Sequence, residues 1–150
     1  MDLILWRHAE AEPGEPDLGR RLTAKGIKQA ERMAIWLDNH LPDTCKILVS
    51  PADRAQQTAL ALKRKFRTVP ELAPGASVSA VLATAGWPDA REPVLIVGHQ
   101  PTLGEVAAFL VSEQDAAWSV RKGAVWWLSN RVRENSTAVV VRVVIGPDFV

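Results

Sequence analysis

Short runs of consecutive apolar residues alternate with segments of helical period along most of this chain. Three runs, at residues 3–6, 47–49 and 94–97, are apolar at every position. Continuous apolar runs with many β-branched side chains are typical of strands that are buried on both faces of a sheet. These runs therefore predict the buried strands of a mostly parallel sheet.

Four segments between or after these runs place apolar residues at helical spacing. The residues that share a face are Ile27, Ala30, Met33 and Leu37; Ala55, Ala59, Leu62 and Phe66; Val78, Val81, Leu82 and Ala85; and Leu103, Val106, Ala107 and Leu110. Thr23 stands directly before the first segment and is a suitable N-cap. The alternation of strands and helices is typical of an α/β domain.

The C-terminal region has a different pattern. Residues 124–128 and 137–145 predict two strands, which the polar stretch 129–136 joins as a hairpin. Polar stretches rich in Pro and Gly at residues 10–21 and 70–77 predict loops. We expect one domain over residues 1–150, a three-layer α/β/α sandwich. Its mostly parallel central sheet carries an antiparallel strand or hairpin from the C-terminal region.

Composition excludes several classes of function. The formal net charge of +1 gives no strong field that would attract nucleic acid or an anionic membrane. We interpret the basic stretch at residues 63–67 as a complement to a helix C-terminus. A single cysteine, Cys45, allows no internal disulfide, and the histidines are not at metal-ligand spacing from it. With no targeting or membrane-spanning segment in the sequence, we expect a cytoplasmic protein.

Residues that could bind a ligand or take part in catalysis follow each of the three buried strands. The first strand ends in Arg7 and His8, Arg54 comes shortly after the second, and the third ends in Gly98 and His99. In open α/β sheets, ligands bind beyond the carboxyl ends of the strands. The guanidinium groups of arginines and the free N–H groups at helix N-termini can donate hydrogen bonds to the oxygens of a phosphoryl group. The sequence therefore predicts a site for phosphate or a similar oxyanion.

One of the two histidines is available for a role other than binding. A neutral imidazole can attack phosphorus, and neighbouring arginines favour the neutral form by charge repulsion. Taken singly, an Arg-His pair at a strand end is most often surface, Arg54 could form an ion pair, and His99 could be a hydrogen-bonded core residue. Their joint occurrence at three strand ends favours the functional interpretation.

The motifs around these residues resemble those of the histidine phosphatase superfamily, which has the phosphoglycerate mutase-like fold. The matching stretches are residues 5–9, 20–26, 50–59 and 97–101. The resemblance implies that His8 is the nucleophile and that Arg7, Arg54 and His99 bind the phosphoryl oxygens. It also places Arg20 near the pocket and implies hydrolysis without a metal or cofactor.

Within this superfamily, the chain is most similar to the SixA-type phosphohistidine phosphatases. The short length, the Ala9 that follows His8 and the stretch at residues 70–75 carry this likeness. We therefore expect a phosphorylated protein as the substrate. The alternatives are a phosphomonoesterase that acts on a small molecule and a non-catalytic module that binds phosphate.

A carboxylic acid that could protonate the leaving group is not evident. Glu71 is the best candidate because it lies in a loop that could approach the site, and Glu10 and Glu12 are weaker ones. Phosphohistidine releases an imidazole, which leaves readily once its ring is protonated, so this reaction depends less on a positioned acid. The few residues between the second helix and the third buried strand also leave little material for a lid.

Overall fold

A central sheet of six strands organises the protein. The computed structural model describes the backbone of residues 1–150 and the side chains of all of them except Val132 and Arg133. The strands are β1 (Asp2–Arg7), β2 (Lys46–Val49), β3 (Arg67–Thr68), β4 (Val94–Gly98), β5 (Val125–Arg133) and β6 (Ser136–Ile145), in the spatial order β3-β2-β4-β1-β5-β6. β1 to β4 are parallel to one another, and β5 pairs antiparallel with both β1 and β6.

Four α-helices flank the sheet, in the four segments where the sequence predicts them. They are α1 (Ala24–His40), α2 (Asp53–Leu60), α3 (Val78–Ala85) and α4 (Thr102–Ser112). The hydroxyl of Thr23 accepts a hydrogen bond from the N–H of Gly26, so the predicted N-cap of α1 is confirmed. Single 3-10 turns lie at Asp17–Gly19, Pro70–Leu72 and Pro147–Phe149.

The helices form one layer on each face of the sheet. Buried residues of α1 and α2, among them Met33 and Ala55, pack with the side chains of Ile4 and Trp6 on one face of β1. Residues of α3 and α4 pack with Leu3 and others on the opposite face. The predicted three-layer sandwich, with an antiparallel hairpin from the C-terminal region, is therefore confirmed.

The second helix is shorter than its sequence pattern predicts. α2 ends at Leu60, and the chain closes it with tighter hydrogen bonds from the N–H groups of residues 61–63. Leu62 and Phe66 lie outside the helix but pack into the same core as its buried face. The apolar spacing continues for this reason, although the helix has ended.

The basic stretch at residues 63–67 therefore does not complement the C-terminus of α2, and this interpretation is wrong for that helix. Arg64 instead complements α1. Its guanidinium donates to the carbonyl oxygens of Asp38, Leu41 and Pro42 and to the Asp38 carboxylate. The carbonyls of Asp38 and Leu41, at the end of α1, have no partner within the helix, and Arg64 satisfies them. The carbonyl of Pro42 also accepts from the N–H of Cys45.

The hairpin connection is also shorter than predicted. β5 and β6 extend through most of the polar stretch, and the turn consists of Glu134 and Asn135. Ser129 stays in the strand because its hydroxyl donates to the carboxylate of Asp2. Asn130 and Arg131 are also strand residues: the side chain of Asn130 is hydrogen-bonded, and Arg131 is exposed. Among the helices that the structure describes, none is long and apolar enough to cross a membrane.

Candidate active site

The ends of three parallel strands bring the predicted site residues to one edge of the sheet. Arg7, the last residue of β1, is in register with Gly98 at the end of β4. The N–H of His8 donates to the carbonyl of Gly98 at 3.1 Å, and the N–H of Ser50 donates to Val97 at 3.1 Å. Arg54 lies in the first turn of α2, which begins after β2. The register of the sheet thus places these residues, which are far apart in the sequence, close together in space.

The two histidine rings lie beside each other, with their centroids 5.2 Å apart. His8 is 8% exposed and His99 is 4% exposed. Nδ1 of His8 lies 2.7 Å from the carbonyl oxygen of Ala9. Because a carbonyl only accepts hydrogen bonds, Nδ1 carries the proton, and Nε2 of the neutral ring keeps a free electron pair.

The surroundings of His8 keep its ring neutral. The pKa of His8 is lowered to about 4; burial is the largest cause, and the charges of Arg54, Arg7 and Arg20 act in the same direction. The hydrogen bond to Ala9 acts in the opposite direction. The sequence predicts the contribution of the arginines, but the structure shows that loss of hydration matters more.

His99 is oriented by a buried serine. Its Nε2 lies 2.7 Å from the hydroxyl oxygen of Ser50, which also accepts a hydrogen bond from the N–H of Ala52. The Ser50 hydroxyl proton can therefore be donated to Nε2 of His99, which leaves Nδ1 protonated. Burial, followed by the charges of His8 and Arg54, lowers the pKa of His99 to about 3.

Three buried donors at this edge have no partner. Within the part of the chain whose side chains are described, the buried side-chain nitrogen and oxygen atoms without a hydrogen bond are Nε of Arg7, Nε of Arg54 and Nδ1 of His99. A buried donor without a partner costs about 1–3 kcal/mol. All three belong to residues that the sequence singles out. The arrangement is suited to an anion that accepts several hydrogen bonds at once.

A carboxylate that the sequence analysis did not identify fixes two of the arginines. Asp17 accepts hydrogen bonds from Arg54 at its backbone oxygen (2.7 Å) and at Oδ2 (3.2 Å), and its Oδ1 accepts from Arg20 at 3.1 Å. Arg20 also donates to the carbonyl of Glu12 at 2.7 Å. Hydrogen bonds from Arg20 and Arg54 lower the pKa of Asp17, so this carboxyl group is ionised.

Thr58 connects the helix that carries Arg54 to the segment after the candidate nucleophile. Its hydroxyl oxygen accepts from the N–H of Ala9 at 3.0 Å and its proton is donated to the carbonyl of Arg54 at 2.8 Å. Thr58 is fully buried. The sequence gives no signal for this role, because a lone threonine on a helix has no distinctive pattern.

The structure does not connect the candidate acid Glu71 to the site by a contact. Glu71 is exposed in the 3-10 turn Pro70–Leu72, and it forms no hydrogen bond or ion pair with any residue whose side chain is described. Its neighbour Leu72 does line a small cavity beside His99, so the loop itself lies near the site. The carboxylate of Glu10 is occupied by the hydroxyl of Thr23 at 2.8 Å and by Lys122 at 3.9 Å.

The groups at this site are suited to an anion. Among the residues that the structure describes, no group of three or more His, Cys, Asp or Glu side chains could hold a metal ion. The groups that converge are guanidinium and imidazole donors together with one unprotonated imidazole nitrogen. This combination can bind a phosphoryl group and present a nucleophile to it.

The sequence is similar to those of known phosphatases. The sequence model of the histidine phosphatase superfamily (branch 1) matches residues 3–76. The phosphohistidine phosphatase SixA homolog of Haemophilus influenzae is 33% identical over 77% of this chain and 80% of its own length. Phosphohistidine phosphatase SixA of Escherichia coli is 32% identical over 73% of this chain and 74% of its own.

Solved structures show the same fold. SixA from Nakamurella multipartitia superposes with a TM-score of 0.80 at 28% identity, covering 97% of this chain and 95% of its own. A protein histidine phosphatase SixA in complex with tungstate gives a TM-score of 0.78 at 24% identity, with 99% of both chains covered.

The chain belongs to the histidine phosphatase superfamily. It is therefore a hydrolase of the phosphatase type that uses a histidine nucleophile. Within that class, its similarity is to the SixA branch.

Proposed function

We propose that this enzyme removes the phosphoryl group from a phosphohistidine residue of another protein, through a covalent phosphohistidine intermediate on His8. The observation that carries this proposal is the set of three unpartnered buried donors, on Arg7, Arg54 and His99. They lie close to a neutral imidazole whose Nε2 is free. The names of the two curated relatives support the phosphohistidine substrate.

In the first step, Nε2 of His8 attacks phosphorus, and the bond between phosphorus and the substrate imidazole breaks. The electron pair of that bond leaves with the substrate imidazole, whose other ring nitrogen is protonated. The developing charge on the phosphoryl oxygens is stabilised by Arg7, Arg54 and His99. These donors are already in place, so they need no reorganisation during the reaction.

In the second step, water attacks the phosphorus of phosphorylated His8. The bond from phosphorus to Nε2 breaks, its electron pair returns to the imidazole, and inorganic phosphate leaves. One proton of the water stays on phosphate and the other is released to solvent. The hydrogen bond from Nδ1 of His8 to Ala9 keeps the ring in the correct tautomer through both steps.

The nature of the leaving group explains why a phosphohistidine substrate does not require a general acid in this site. Glu71 is exposed and forms no hydrogen bond with the site residues. An alkoxide leaving group would need a proton from such a group, whereas an imidazole that is already protonated on its other nitrogen does not. Glu71 as a general acid remains a proposal that applies to ester substrates alone.

The test is to trap the phosphorylated enzyme from three labelled substrates: a phosphohistidine protein, a phosphoserine peptide and a sugar phosphate. We expect label in an acid-labile, alkali-stable bond, fastest from the phosphohistidine protein. His8→Ala should lose the label, and His40→Ala, a matched change at an exposed histidine, should keep it.

Other outcomes would contradict the proposal in distinct ways. Faster turnover of the sugar phosphate would favour a phosphomonoesterase that acts on small molecules. Phosphate binding without label and without turnover of any substrate would favour a non-catalytic phosphate-binding module. Label that persists in His8→Ala would move the nucleophile to another residue.

A further inference from the structure

A cavity of about 800 Å³ lies at the end of the sheet opposite the candidate active site. Lys46 and Val94, the first residues of β2 and β4, line it, whereas Ser50 and His99 follow the last residues of the same strands. The cavity is therefore separated from the phosphate pocket by the length of these strands. Its volume is in the range typical of sites for small molecules.

The lining of this cavity combines an apolar floor with basic side chains. Ile47, Leu48, Phe66 and Val94 contribute apolar surface. The basic residues are Lys46, Arg64, Lys65 and Arg67, and the one acidic residue in the lining is Asp43. Three of the basic residues, Arg64, Lys65 and Arg67, come from the stretch at 63–67, which does not complement the C-terminus of α2 as the sequence suggests.

Most of these cations have no partner within the protein. Arg64 is engaged at the C-terminus of α1. Lys46, Lys65 and Arg67 are exposed, and in the described part of the chain their side chains form no hydrogen bond or ion pair. Three unpaired cations thus surround one cavity in a chain whose formal net charge is only +1.

The two kinds of surface together restrict the ligand. A purely inorganic anion would leave the apolar floor in contact with water, and a purely apolar ligand would not use the cations. A single exposed lysine needs no ligand, because water solvates it well. Three such side chains above an apolar concavity match a molecule that has an anionic group and an apolar or aromatic body.

We propose that this cavity is a second binding site, which takes a small organic anion. The anionic group would lie among Lys46, Lys65 and Arg67, with the apolar body against the floor beside Phe66. The site uses none of the residues of the phosphatase reaction.

The test uses 8-anilinonaphthalene-1-sulfonate, an aromatic sulfonate whose fluorescence rises on binding, with the full chain. The double charge reversal Lys65→Glu with Arg67→Glu should raise its Kd by about tenfold or more, because two attractive charges become repulsive. Lys25→Glu with Lys28→Glu makes the same change in net charge at exposed positions of α1 outside the cavity, and should leave the Kd within about twofold.

A second variant tests the apolar part of the site without altering charge. Ala83 on α3 lines the cavity, and Ala83→Trp should occupy part of it and also weaken binding by about tenfold. Turnover of a small phosphoramidate should be unchanged in every variant, which shows that the proteins are folded. Equal binding by the wild type and either cavity variant would refute the site, and so would an equal loss in the α1 control.

Discussion

Asp17 contacts Arg54 through two of its own oxygen atoms, the backbone carbonyl and Oδ2, at 2.7 and 3.2 Å. These two oxygen atoms accept hydrogen bonds from Nη1 and Nη2, the terminal nitrogen atoms of the Arg54 guanidinium. The Nε side stays without a partner although Arg54 is buried. A guanidinium can present two parallel N–H groups on this side as well as at its end. Asp17 thus occupies one binding edge of Arg54 and leaves free the other, which is where we propose that a phosphoryl group binds.

Replacement of Asp17 should separate catalysis from phosphate binding. In Asp17→Ala, Arg54 and Arg20 lose the partner that orients them, and we expect kcat to fall by about tenfold or more. The affinity for inorganic phosphate should not fall, because the variant also removes a negative charge that repels the anion. Steady-state kinetics with a small phosphoramidate and inhibition by inorganic phosphate measure the two effects.

The conservative variant Asp17→Asn is the control for this prediction. Its amide oxygen can still accept a hydrogen bond from one arginine, so its kcat should lie between those of the wild type and Asp17→Ala. If the two variants have equal kcat, loss of the negative charge of Asp17 alone explains the fall in kcat, and the orienting role is contradicted. A parallel loss of kcat and phosphate affinity would also contradict the orienting role.

Ser50 should be required for activity beyond its contribution to stability. Ser50→Ala removes the hydroxyl that holds Nε2 of His99, and we expect kcat to fall by about 10- to 100-fold as the ring loses its orientation. Ser129→Ala is a matched control, since Ser129 is also buried and bonds to Asp2 far from the site. Each variant should lose about 1–3 kcal/mol in the free energy of unfolding. Equal activity in the two variants would rule out the orienting role of Ser50.

Stability should decrease as the pH falls from 7 to 5, because of His8 and His99. Their pKa values are about 4 and about 3 in the folded protein, against an ordinary value of 6.5. The unfolded chain therefore binds more protons between pH 6.5 and these lower values, and stability in this range rises with pH. From pH 6.5 to 5, each histidine should lower the free energy of unfolding by about 2 kcal/mol.

Denaturant unfolding at pH 7 and pH 5 measures this loss. His8→Gln should remove about half of it, and His40→Gln, at an exposed position, should leave it unchanged. An equal pH dependence in the wild type and His8→Gln would show that His8 is not held neutral by the fold.

Arg64 should contribute to stability and not to turnover. Arg64→Ala leaves the carbonyl groups of Asp38 and Leu41 at the end of α1 without their donor, and we expect a loss of about 1–2 kcal/mol in the free energy of unfolding. Arg32→Ala, at an exposed position of the same helix, should cost less than about 0.5 kcal/mol. If both variants are equally stable, Arg64 does not cap the helix, whatever the turnover of either.

Glu71 should be dispensable for a phosphohistidine substrate. Glu71→Gln keeps the size of the side chain and removes its acid, and kcat with a phosphohistidine protein should stay within about twofold of the wild type. With a phosphate ester, the same variant should be slower if Glu71 protonates the alkoxide. A large loss with the phosphohistidine substrate would make Glu71 a catalytic acid for the main reaction.

The sequence predicts the strands and the residues at their ends because both depend on local patterns. Buried parallel strands are apolar at every position, and the residues that follow them lie at one edge of the sheet. Asp17 escapes such reasoning, since its contact with Arg54 depends on how a loop folds back over α2. Ser50 and Thr58 lie within the matching stretch 50–59, but the motif does not show which groups their buried hydroxyls bond to.

The predicted boundaries of α2 and of the C-terminal hairpin are wrong for a related reason. Leu62 and Phe66 continue the apolar spacing of α2 because they enter the same core, although the chain has left the helix. Ser129 interrupts the apolar pattern of β5 but stays in the strand through its bond to Asp2. In both cases, tertiary contacts determine the position, and the spacing of residues along the chain does not contain them.

The antiparallel direction of β5 has a practical consequence for handling this enzyme. β5 begins at Val125, beside Trp6 and next to the strand end that carries His8, and it runs away from that edge. Its turn, at Glu134 and Asn135, is exposed at the far end of the hairpin. A fluorophore or a linker to a solid support can be attached at this turn, and the immobilised protein would then present its phosphate pocket to the solution.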